Sequence, residues 1–128
     1  MNTSTLPIVL LTALTLTACA TIEQKMVESG ATRLDAQQVK SHVVGKTERW
    51  SKGGGYYRPD GTLETVWEGS MQKGPYTIAD DGKVCYDVET WDRECHFYMN
   101  DSGKIIMIYK KKNVGAHEMF NGNQLSKL

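Results

Sequence analysis

The chain has no excess of charge of either sign. Its 128 residues contain 15 Lys and Arg against 15 Asp and Glu, so its formal net charge is zero. Nucleic-acid binding needs a clear basic excess, and long-range attraction of a charged partner needs a net charge. We therefore expect no nucleic-acid partner. The length suits a single domain.

The sequence also lacks the common catalytic and cofactor-binding motifs. It contains no Gly-x-Ser-x-Gly nucleophile elbow and no phosphate-binding glycine loop followed by Lys and Ser or Thr. The run Gly53-Gly54-Gly55 precedes a predicted strand and not a helix, so we interpret it as a turn. The absence of a Cys-x-x-Cys pair disfavours zinc. We predict a protein with no enzymatic activity, cofactor or metal.

Two weaker arrangements of chemically active residues remain open. His42, His96 and His117 are predicted on three different elements, and metal binding or acid–base chemistry would require them to converge. Asp92, Glu94 and His96 alternate along one predicted strand face. We interpret both sets as surface or structural groups. A pocket that gathers them would favour a metal site or an enzyme instead.

Charged side chains are also missing from the first 22 residues. The apolar run Ile8–Leu16 is far shorter than the roughly 20 residues that span a bilayer, and it has the length of a signal-peptide core. The letters LTAC follow and end at Cys19. They resemble the lipobox of bacterial lipoproteins, in which the Cys sulfur receives a diacylglycerol and the chain is cut before it. The resemblance implies a signal peptide over residues 1–18 and lipid on Cys19; the alternative is a buried apolar helix with a chance Cys.

The same resemblance bears on location. Many enteric lipoproteins kept in the inner membrane carry Asp after the lipidated Cys, and this chain has Ala20 there. We therefore expect an outer-membrane anchor with the domain in the oxidising periplasm. The chain has three cysteines. With lipid on Cys19, Cys85 and Cys95 remain as a pair that can form a disulfide.

The mature chain divides into a tether and a domain. Residues 19–32 have no persuasive hydrophobic period, and we interpret them as the lipidated Cys and a tether that could extend about 40 Å. A short helix is expected over about residues 34–44, where apolar residues recur at helical spacing, and Gly45 is placed to end it. Residues 33–128 then form one β-rich domain.

Turn signals recur after Gly45. The glycines of Asp60-Gly61, Asp81-Gly82 and Ser102-Gly103 are 21 residues apart, and Asn121-Gly122 follows as a candidate fourth turn. Asp-Gly and Asn-Gly favour hairpin turns, and a period near 21 is the length of two strands with two turns. Candidate strands are roughly residues 46–51, 54–58, 62–68, 74–79, 83–89, 93–99, 104–110 and 114–120. We predict a mainly β fold, in which one short N-terminal helix precedes a meander of seven to eight antiparallel strands. Such a sheet can form a small barrel or a half-barrel.

The residue patterns of two of these strands indicate which of their faces are buried. The strand at residues 62–68 places Leu63, Thr65 and Trp67 on one face, as expected for a sheet with one buried side. The strand at residues 104–110 is continuously apolar, so both of its faces should be covered. The predicted helix is the obvious cover for one of them.

The two remaining cysteines flank a predicted hairpin tip. A turn centred on Thr90 sets Cys85 directly opposite Cys95, within reach of a disulfide in a non-hydrogen-bonded pair. The same register places the apolar Val84 and Tyr86 opposite a His and a Glu, so the apolar faces do not align. A β-bulge is one way to resolve this conflict.

Several motifs also occur together in one family. In order they are Gly45-Lys46-Thr47, Trp50, Gly54-Gly55-Tyr56-Tyr57, Asp60-Gly61-Thr62, Gly74, Asp81-Gly82, Cys85 and Cys95. From Gly45 to about Tyr109 the chain resembles a domain-of-unknown-function family of small proteobacterial envelope proteins. Members often carry Trp where this chain has Tyr76. The resemblance implies an exported β-rich domain and no established chemistry. A second likeness, over Tyr56–Gly61, is to Tyr-Tyr-x-x-Asp-Gly repeats that act as interaction modules.

Four residues are candidates for contact with a partner. Trp91 lies at the predicted hairpin tip, where an exposed indole would suit a partner or a membrane. Lys110, Lys111 and Lys112 could contact lipid headgroups, although such a run is more often a solvated strand end. We predict a membrane-anchored envelope lipoprotein whose domain is a non-enzymatic binding or assembly module for a protein or envelope component. The alternative is a lipocalin-like carrier of a small apolar ligand, which requires a cavity of several hundred Å³.

Overall fold

The computed structural model describes residues 19–128, so the predicted signal peptide over residues 1–18 lies outside it. The helices are α1 (Ile22–Glu28), α2 (Ala36–Val43) and a 3₁₀ turn at Leu125–Lys127. The strands are β1 (Thr32–Arg33), β2 (Lys46–Trp50), β3 (Gly53–Tyr57), β4 (Thr62–Trp67), β5 (Ser70–Ile78), β6 (Val84–Tyr86), β7 (Glu94–Asp101), β8 (Lys104–Tyr109), β9 (Lys112–Gly115) and β10 (Met119–Asn121). Among residues 19–128, no helix is long and apolar enough to cross a bilayer.

The strands form one curled antiparallel sheet. Their order is β10-β2-β3-β4-β5-β6-β7-β8-β9, and β1 pairs with β7 beside this path. Because β9 and β10 occupy opposite ends of the path but are joined only by residues 116–118, the two ends lie at most about 14 Å apart. The sheet must therefore curl. The result is a half-barrel, which confirms the predicted mainly β meander.

The turns with the 21-residue period lie at one end of this sheet. Each period contains one strand in each direction, so Gly61, Gly82 and Gly103 connect β3 to β4, β5 to β6 and β7 to β8 at the same end. Their φ angles are 91°, 85° and 89°, which a residue with a side chain rarely adopts. Gly122 instead follows β10 and does not join two strands.

Helix α2 closes the end that carries these glycine turns. Asp35 caps the helix by accepting a hydrogen bond from the Gln38 backbone N–H at 2.8 Å, and the Gln38 side chain returns one to Asp35 N at 2.9 Å. Val39 and Val43 are fully buried in the inner core of the sheet. The backbone before α2 lies against Gly82, with no room there for a Cβ. The predicted helix is confirmed.

Alternation along the strands separates an inner from an outer cluster. Leu63 and Thr65 are fully buried on the inner face, as the pattern of residues 62–68 predicts. The other buried members of the inner cluster are Leu34, Val39, Val43, Tyr57, Tyr76, Val84, Tyr86, Val88, Tyr98 and Met107. The outer cluster is formed by Ala31, Met99, Ile106 and Ile108.

Helix α1 covers this outer cluster, which corrects the interpretation of residues 19–32 as a tether. Thr21 and Gln24 form a capping box that starts α1, and Ile22 and Met26 pack on the outer cluster. The short strand β1 then pairs with β7. Within residues 19–128, regular structure thus begins with α1, which Thr21 caps. A helix of seven residues is too short to show a readable hydrophobic period, so α1 could not be predicted from the sequence pattern.

The strand β8 is covered on both faces, as predicted from its continuous apolar run. Ile106, Met107 and Ile108 are 5%, 5% and 2% exposed. The cover on the outer side is α1, which the sequence did not reveal, while α2 packs in the inner core. The predicted last strand, residues 114–120, is divided between β9 and β10 at the two ends of the strand path.

Candidate functional site

The end of the sheet opposite α2 contains a pocket of about 630 Å³. Trp50, Trp67 and Tyr109 end their strands there, away from the glycine turns. We call this space the aromatic pocket; its lining consists of Trp50, Ser51, Trp67, Tyr86, Trp91, Glu94, Met107, Tyr109, Val114 and His117. Such a lining, mostly aromatic with a few polar groups, is typical of a small-molecule site.

The three Trp residues of the chain come together in this pocket. The ring centroids of Trp50 and Trp67 are 6.5 Å apart, and those of Trp50 and Trp91 are 6.3 Å apart. Tyr86 adds a fourth ring, 6.3 Å from Trp91. Trp91 was predicted at an exposed hairpin tip, but it is only partly exposed because its loop turns back onto the core. Its contact role stays a prediction.

The three predicted contact lysines lie at the same end of the sheet. Lys110 and Lys111 form the two-residue turn between β8 and β9, with φ of 48° and 61°, and Lys112 begins β9. All three are exposed. Lys110 Nζ lies 3.5 Å from Glu94 Oε1 and 5.1 Å from the centre of the Tyr109 ring. The lysines thus form a basic rim beside the pocket, and what they contact stays a prediction.

A glycine makes room for Trp50. The run from Gly53 to Gly55 forms the first three of the five residues of β3, so its interpretation as a turn is wrong. A Cβ at Gly55 would lie only 2.8 Å from Trp50 Cη2. Because Gly55 has no side chain, the indole can lie across β3. Glycine is depleted in strands except where another group approaches closely, which is the case here.

A carboxylate is buried beside the aromatic pocket. Glu48 is 0% exposed and accepts hydrogen bonds from Trp50 Nε1 at 2.7 Å and Tyr98 OH at 2.6 Å. Tyr57 OH donates a longer one at 3.4 Å. Within residues 19–128 no Lys or Arg forms an ion pair with it, and the basic group beside it is His117, whose Nδ1 lies 3.9 Å from Glu48 Oε1. At that distance the contact with His117 is longer than a hydrogen bond.

The environment of Glu48 favours its charged form. Burial alone raises the pKa of this carboxyl, but His117, the hydrogen bonds from Tyr98 and Trp50, and the charge of His96 in the acid range where that ring is protonated hold the pKa below its usual value. Burial and the Glu48 charge raise the pKa of Tyr98 well above its usual value, so its hydroxyl keeps the proton that it donates. Glu48 is therefore an anion held mainly by neutral donors.

His96 completes this buried group. Its Nε2 lies 3.0 Å from Tyr98 OH. The only hydroxyl proton of Tyr98 goes to Glu48, so His96 Nε2 must be the donor, and Nδ1, which has no partner among the described residues, is unprotonated. Burial lowers the pKa of His96 to about 4, so the ring is neutral at pH 7. Glu48, Tyr57, Tyr98 and His96 form what we call the buried carboxylate cluster.

The candidate residues predicted from sequence are only partly gathered. Glu94 and His117 both line the aromatic pocket, whereas His96 lies in the buried cluster behind it. Asp92 is exposed, and His42 packs edge-on against Tyr98 on the α2 side, with ring centroids 4.9 Å apart. Among residues 19–128, no group of three or more His, Cys, Asp and Glu is arranged to hold a metal ion.

Sequence reasoning missed Glu48, the central polar residue. The strand Lys46-Thr47-Glu48-Arg49-Trp50 is polar at most positions, so no apolar alternation indicates which face is buried. A usable signal was present nonetheless. Glu48 and Trp50 are two residues apart and must share a face of β2, next to a glycine-rich strand that leaves space beside them.

The predicted disulfide is confirmed. Cys85 and Cys95 are bonded, with their Cα atoms 4.1 Å apart, in the predicted register and without a bulge. The bond lies on the outer face and clamps β6 to β7, whose inner face supplies Tyr86 and Glu94 to the pocket. Cys19 is exposed and is not part of a disulfide.

Comparison with other proteins gives a family and no individual relative. No curated protein and no solved structure matches the chain. A family model described as "Protein of unknown function (DUF995)" matches residues 9–124. That range is wider than the span from Gly45 to Tyr109 over which the sequence motifs resemble such a family. The chain belongs to the DUF995 family.

Proposed function

We propose that this protein is a lipid-anchored protein of the bacterial outer membrane, whose β domain binds a small, largely apolar ligand in the aromatic pocket. The observation that carries the proposal is the pocket itself. Its volume of about 630 Å³ falls within the range of roughly 300–1,000 Å³ that is usual for small-molecule sites. Its walls combine several aromatic rings with three polar residues, Ser51, Glu94 and His117, that can orient a ligand.

A role in docking another protein receives less support. The exposed large apolar residues of the described chain are Val27, Met71 and Val114, which belong to α1, β5 and β9. Single apolar side chains on separate elements are normal on a protein surface, whereas a docking site generally needs a contiguous patch. Ligand binding, the second of the two functions expected from the sequence, is therefore the one we propose.

The anchor remains a separate part of the proposal. Its support is the LTAC motif ending at Cys19, together with the exposure of Cys19 just before α1. Metabolic labelling with a fatty-acid probe tests it. We expect the parent chain to be labelled and the Cys19→Ala variant to be unlabelled, and equal labelling of the two would refute the anchor.

Ligand binding can be measured with a neutral apolar dye such as N-phenyl-1-naphthylamine. We expect saturable binding that quenches Trp fluorescence, because all three Trp residues line the pocket. Trp67→Ala should weaken binding by at least about tenfold, since a pocket-lining aromatic ring is a typical anchor. Met71→Ala, which changes a side chain that is 67% exposed, is the control and should bind like the parent. Equal binding by Trp67→Ala would exclude the pocket.

A further inference from the structure

The rings of the aromatic pocket are inclined toward one another. The planes of Trp50 and Trp67 differ by 56°, those of Trp50 and Trp91 by 46°, and those of Tyr86 and Trp91 by 63°. A cation within about 6 Å of a ring centroid is attracted by the ring face. The centroids of these pairs are 6.3 to 6.5 Å apart, so one cation can lie within that distance of both rings of a pair. The rings alone would also suit an uncharged apolar group, so the charges around them must decide.

The charge beside the rings is negative. Glu48 is connected to two lining residues, to Trp50 by a 2.7 Å hydrogen bond and to His117 at 3.9 Å. A buried charge is normally paired with an opposite one, yet no Lys or Arg among the described residues pairs with Glu48. Glu94 adds a second carboxylate in the lining. Lys110 pairs with Glu94 from outside the pocket, so the carboxylate that no Lys or Arg of the described residues neutralises is Glu48.

Trp50 links the Glu48 carboxylate to the aromatic pocket. Its indole N–H donates to the Glu48 carboxylate, while its ring lines the pocket. An N–H that donates to an anion leaves more electron density on the ring, and the negative face of an aromatic ring is what attracts a cation. The same residue thus connects the buried carboxylate to the ligand space.

The basic rim does not cancel this field. The Lys110 side chain is 64% exposed and lies beside Glu94 at 3.5 Å, and Lys111 and Lys112 are exposed to solvent. Water screens such charges strongly, whereas a carboxylate in the interior is screened much less. The pocket is thus negative inside and basic outside. A ligand that carries both charges would insert its positive end.

From these observations we infer that the aromatic pocket binds ligands through an organic ammonium group, held by the faces of Trp50, Trp67 and Trp91 and attracted by Glu48 and Glu94. This inference rests on the proposed function, since it requires the pocket to be a ligand site. It adds the chemical class of the group that enters: a positively charged, alkylated nitrogen, with affinity falling when the nitrogen is replaced by carbon.

Three isosteric probes test the charge. Choline carries a trimethylammonium group, 3,3-dimethylbutan-1-ol carries the neutral tert-butyl equivalent, and 3,3-dimethylbutanoate adds a negative charge. Each is titrated against the full lipid-bearing chain in nanodiscs, and Trp fluorescence and indole N–H resonances report binding. We expect choline to bind roughly tenfold more tightly than the neutral alcohol, in the range of a partly desolvated cation–π contact.

Each outcome has a defined meaning. Preference for the neutral alcohol would overturn the ammonium inference and leave the proposed function standing. Preference for the butanoate would also overturn the ammonium inference and leave the proposed function standing, and it would indicate that the basic rim attracts the ligand. If none of the three binds while the apolar dye still does, the inference fails alone. If neither they nor the dye bind, the proposed function fails with it.

Substitutions locate the source of the preference. Glu94→Gln, at a half-buried position in the lining, should reduce the ratio of choline to alcohol affinity severalfold, and Glu48→Gln should reduce it further. Trp67→Phe should retain more choline binding than Trp67→Leu because Phe keeps an aromatic face. The matched control is Glu118→Gln, which removes one negative charge from a side chain that is 58% exposed, and it should leave the ratio unchanged. An unchanged ratio in both Glu94→Gln and Glu48→Gln would contradict the proposal.

Discussion

The two ends of the curled sheet are built from different residues. The closed end has glycine at the turns of Gly61, Gly82 and Gly103, and α2 packs over it. At the open end, the turn between β8 and β9 consists of Lys110 and Lys111, both with positive φ. Left-handed φ costs a residue with a side chain roughly 1–2 kcal/mol. The closed end has one such residue, Ser102 with φ of 54° beside Gly103, whereas the open end has three, because Glu68 in the turn after β4 also has a positive φ of 50°. More of this local cost therefore lies at the end that contains the aromatic pocket.

The polar interior shows the same contrast. Next to α2 the core consists of Val39, Val43 and other apolar side chains. Toward the open end it contains the anion of Glu48 and the neutral ring of His96. Apolar residues of the same volume often stabilise a fold as well as buried charged groups do, so stability alone does not account for Glu48 at this position.

The largest expected loss of stability follows from a substitution at the closed end of the sheet. In Gly82→Ala the new Cβ would meet the backbone carbonyl of Leu34 at a φ of +85°, so the free energy of unfolding should fall by roughly 3 kcal/mol or more. Gly61→Ala has a similar φ of +91° but nothing within 4 Å of the added Cβ, so it should lose only about 1–2 kcal/mol. Urea denaturation compares them. Equal losses of unfolding free energy in the two variants would show that the backbone before α2 does not pack closely against Gly82.

The next effect concerns the buried carboxylate cluster. In the folded chain His96 has a pKa of about 4, whereas in the unfolded chain its pKa is near 6.5. His96 therefore binds a proton in the unfolded chain at a higher pH than in the folded chain. The free energy of unfolding should therefore fall as the pH drops from about 6.5 to 4, by about 3 kcal/mol for this group. The lowered pKa of His42, caused by burial, acts in the same direction, and the lowered pKa of Glu48 extends the loss to more acidic pH.

A substitution isolates the His96 contribution. His96→Gln keeps an N–H that can donate to Tyr98 but does not titrate. The dependence of stability on pH between 6.5 and 4 should then become markedly shallower than in the parent. If the two curves of unfolding free energy against pH are parallel over that interval, His96 is not the group that resists protonation.

A third prediction concerns the wall that supports the open end. Removing the disulfide with Cys85→Ser and Cys95→Ser should lower the free energy of unfolding by roughly 2–3 kcal/mol, because the closed loop is short. The matched control is Asp87→Ala, which breaks the neighbouring ion pair with Arg93 at 2.6 Å and should cost less than about 1 kcal/mol because that pair is exposed. Free thiols in protein purified without reductant would contradict the assignment of the bond.

The smallest expected change in stability concerns the turn between β8 and β9 at the open end. Lys110→Asn combined with Lys111→Gly gives the open-end turn the residues that a two-residue hairpin with positive φ prefers. We expect stability to rise by about 1 kcal/mol. Differential scanning calorimetry would detect this as a small increase in Tm. A decrease would mean that the lysines stabilise the turn through contacts beyond their backbone angles.

Much of the fold was readable from the sequence because its signals are local. The period of the turn glycines and the facing cysteines follow from spacing alone. The register at the disulfide seemed to conflict with hydrophobic alternation, since Tyr86 faces Glu94 and Val84 faces His96. The structure resolves the conflict without a bulge, because Glu94 and His96 both face inward. The two polar residues that did not fit the hydrophobic alternation, Glu94 and His96, thus belong to the candidate site.

The rest depends on contacts between distant segments. The burial of Glu48 requires donors from β2, β3 and β7, and Tyr98 is fifty positions away in the chain. No local pattern reports such convergence. Helix α1 was missed for a different reason, because two apolar contacts on seven residues are too few to reveal a period.

The docking of α1 determines how closely a lipid on Cys19 would hold the domain to the bilayer. With Thr21 already fixed as the helix cap, the reach from the acylated residue falls from about 40 Å to roughly 10 Å. The domain would then lie close to the headgroups on the side that carries α1, and it would have little freedom to swing. Its search for ligands would be confined to a thin layer that moves with the lipids, so encounters would depend on surface density and lateral diffusion.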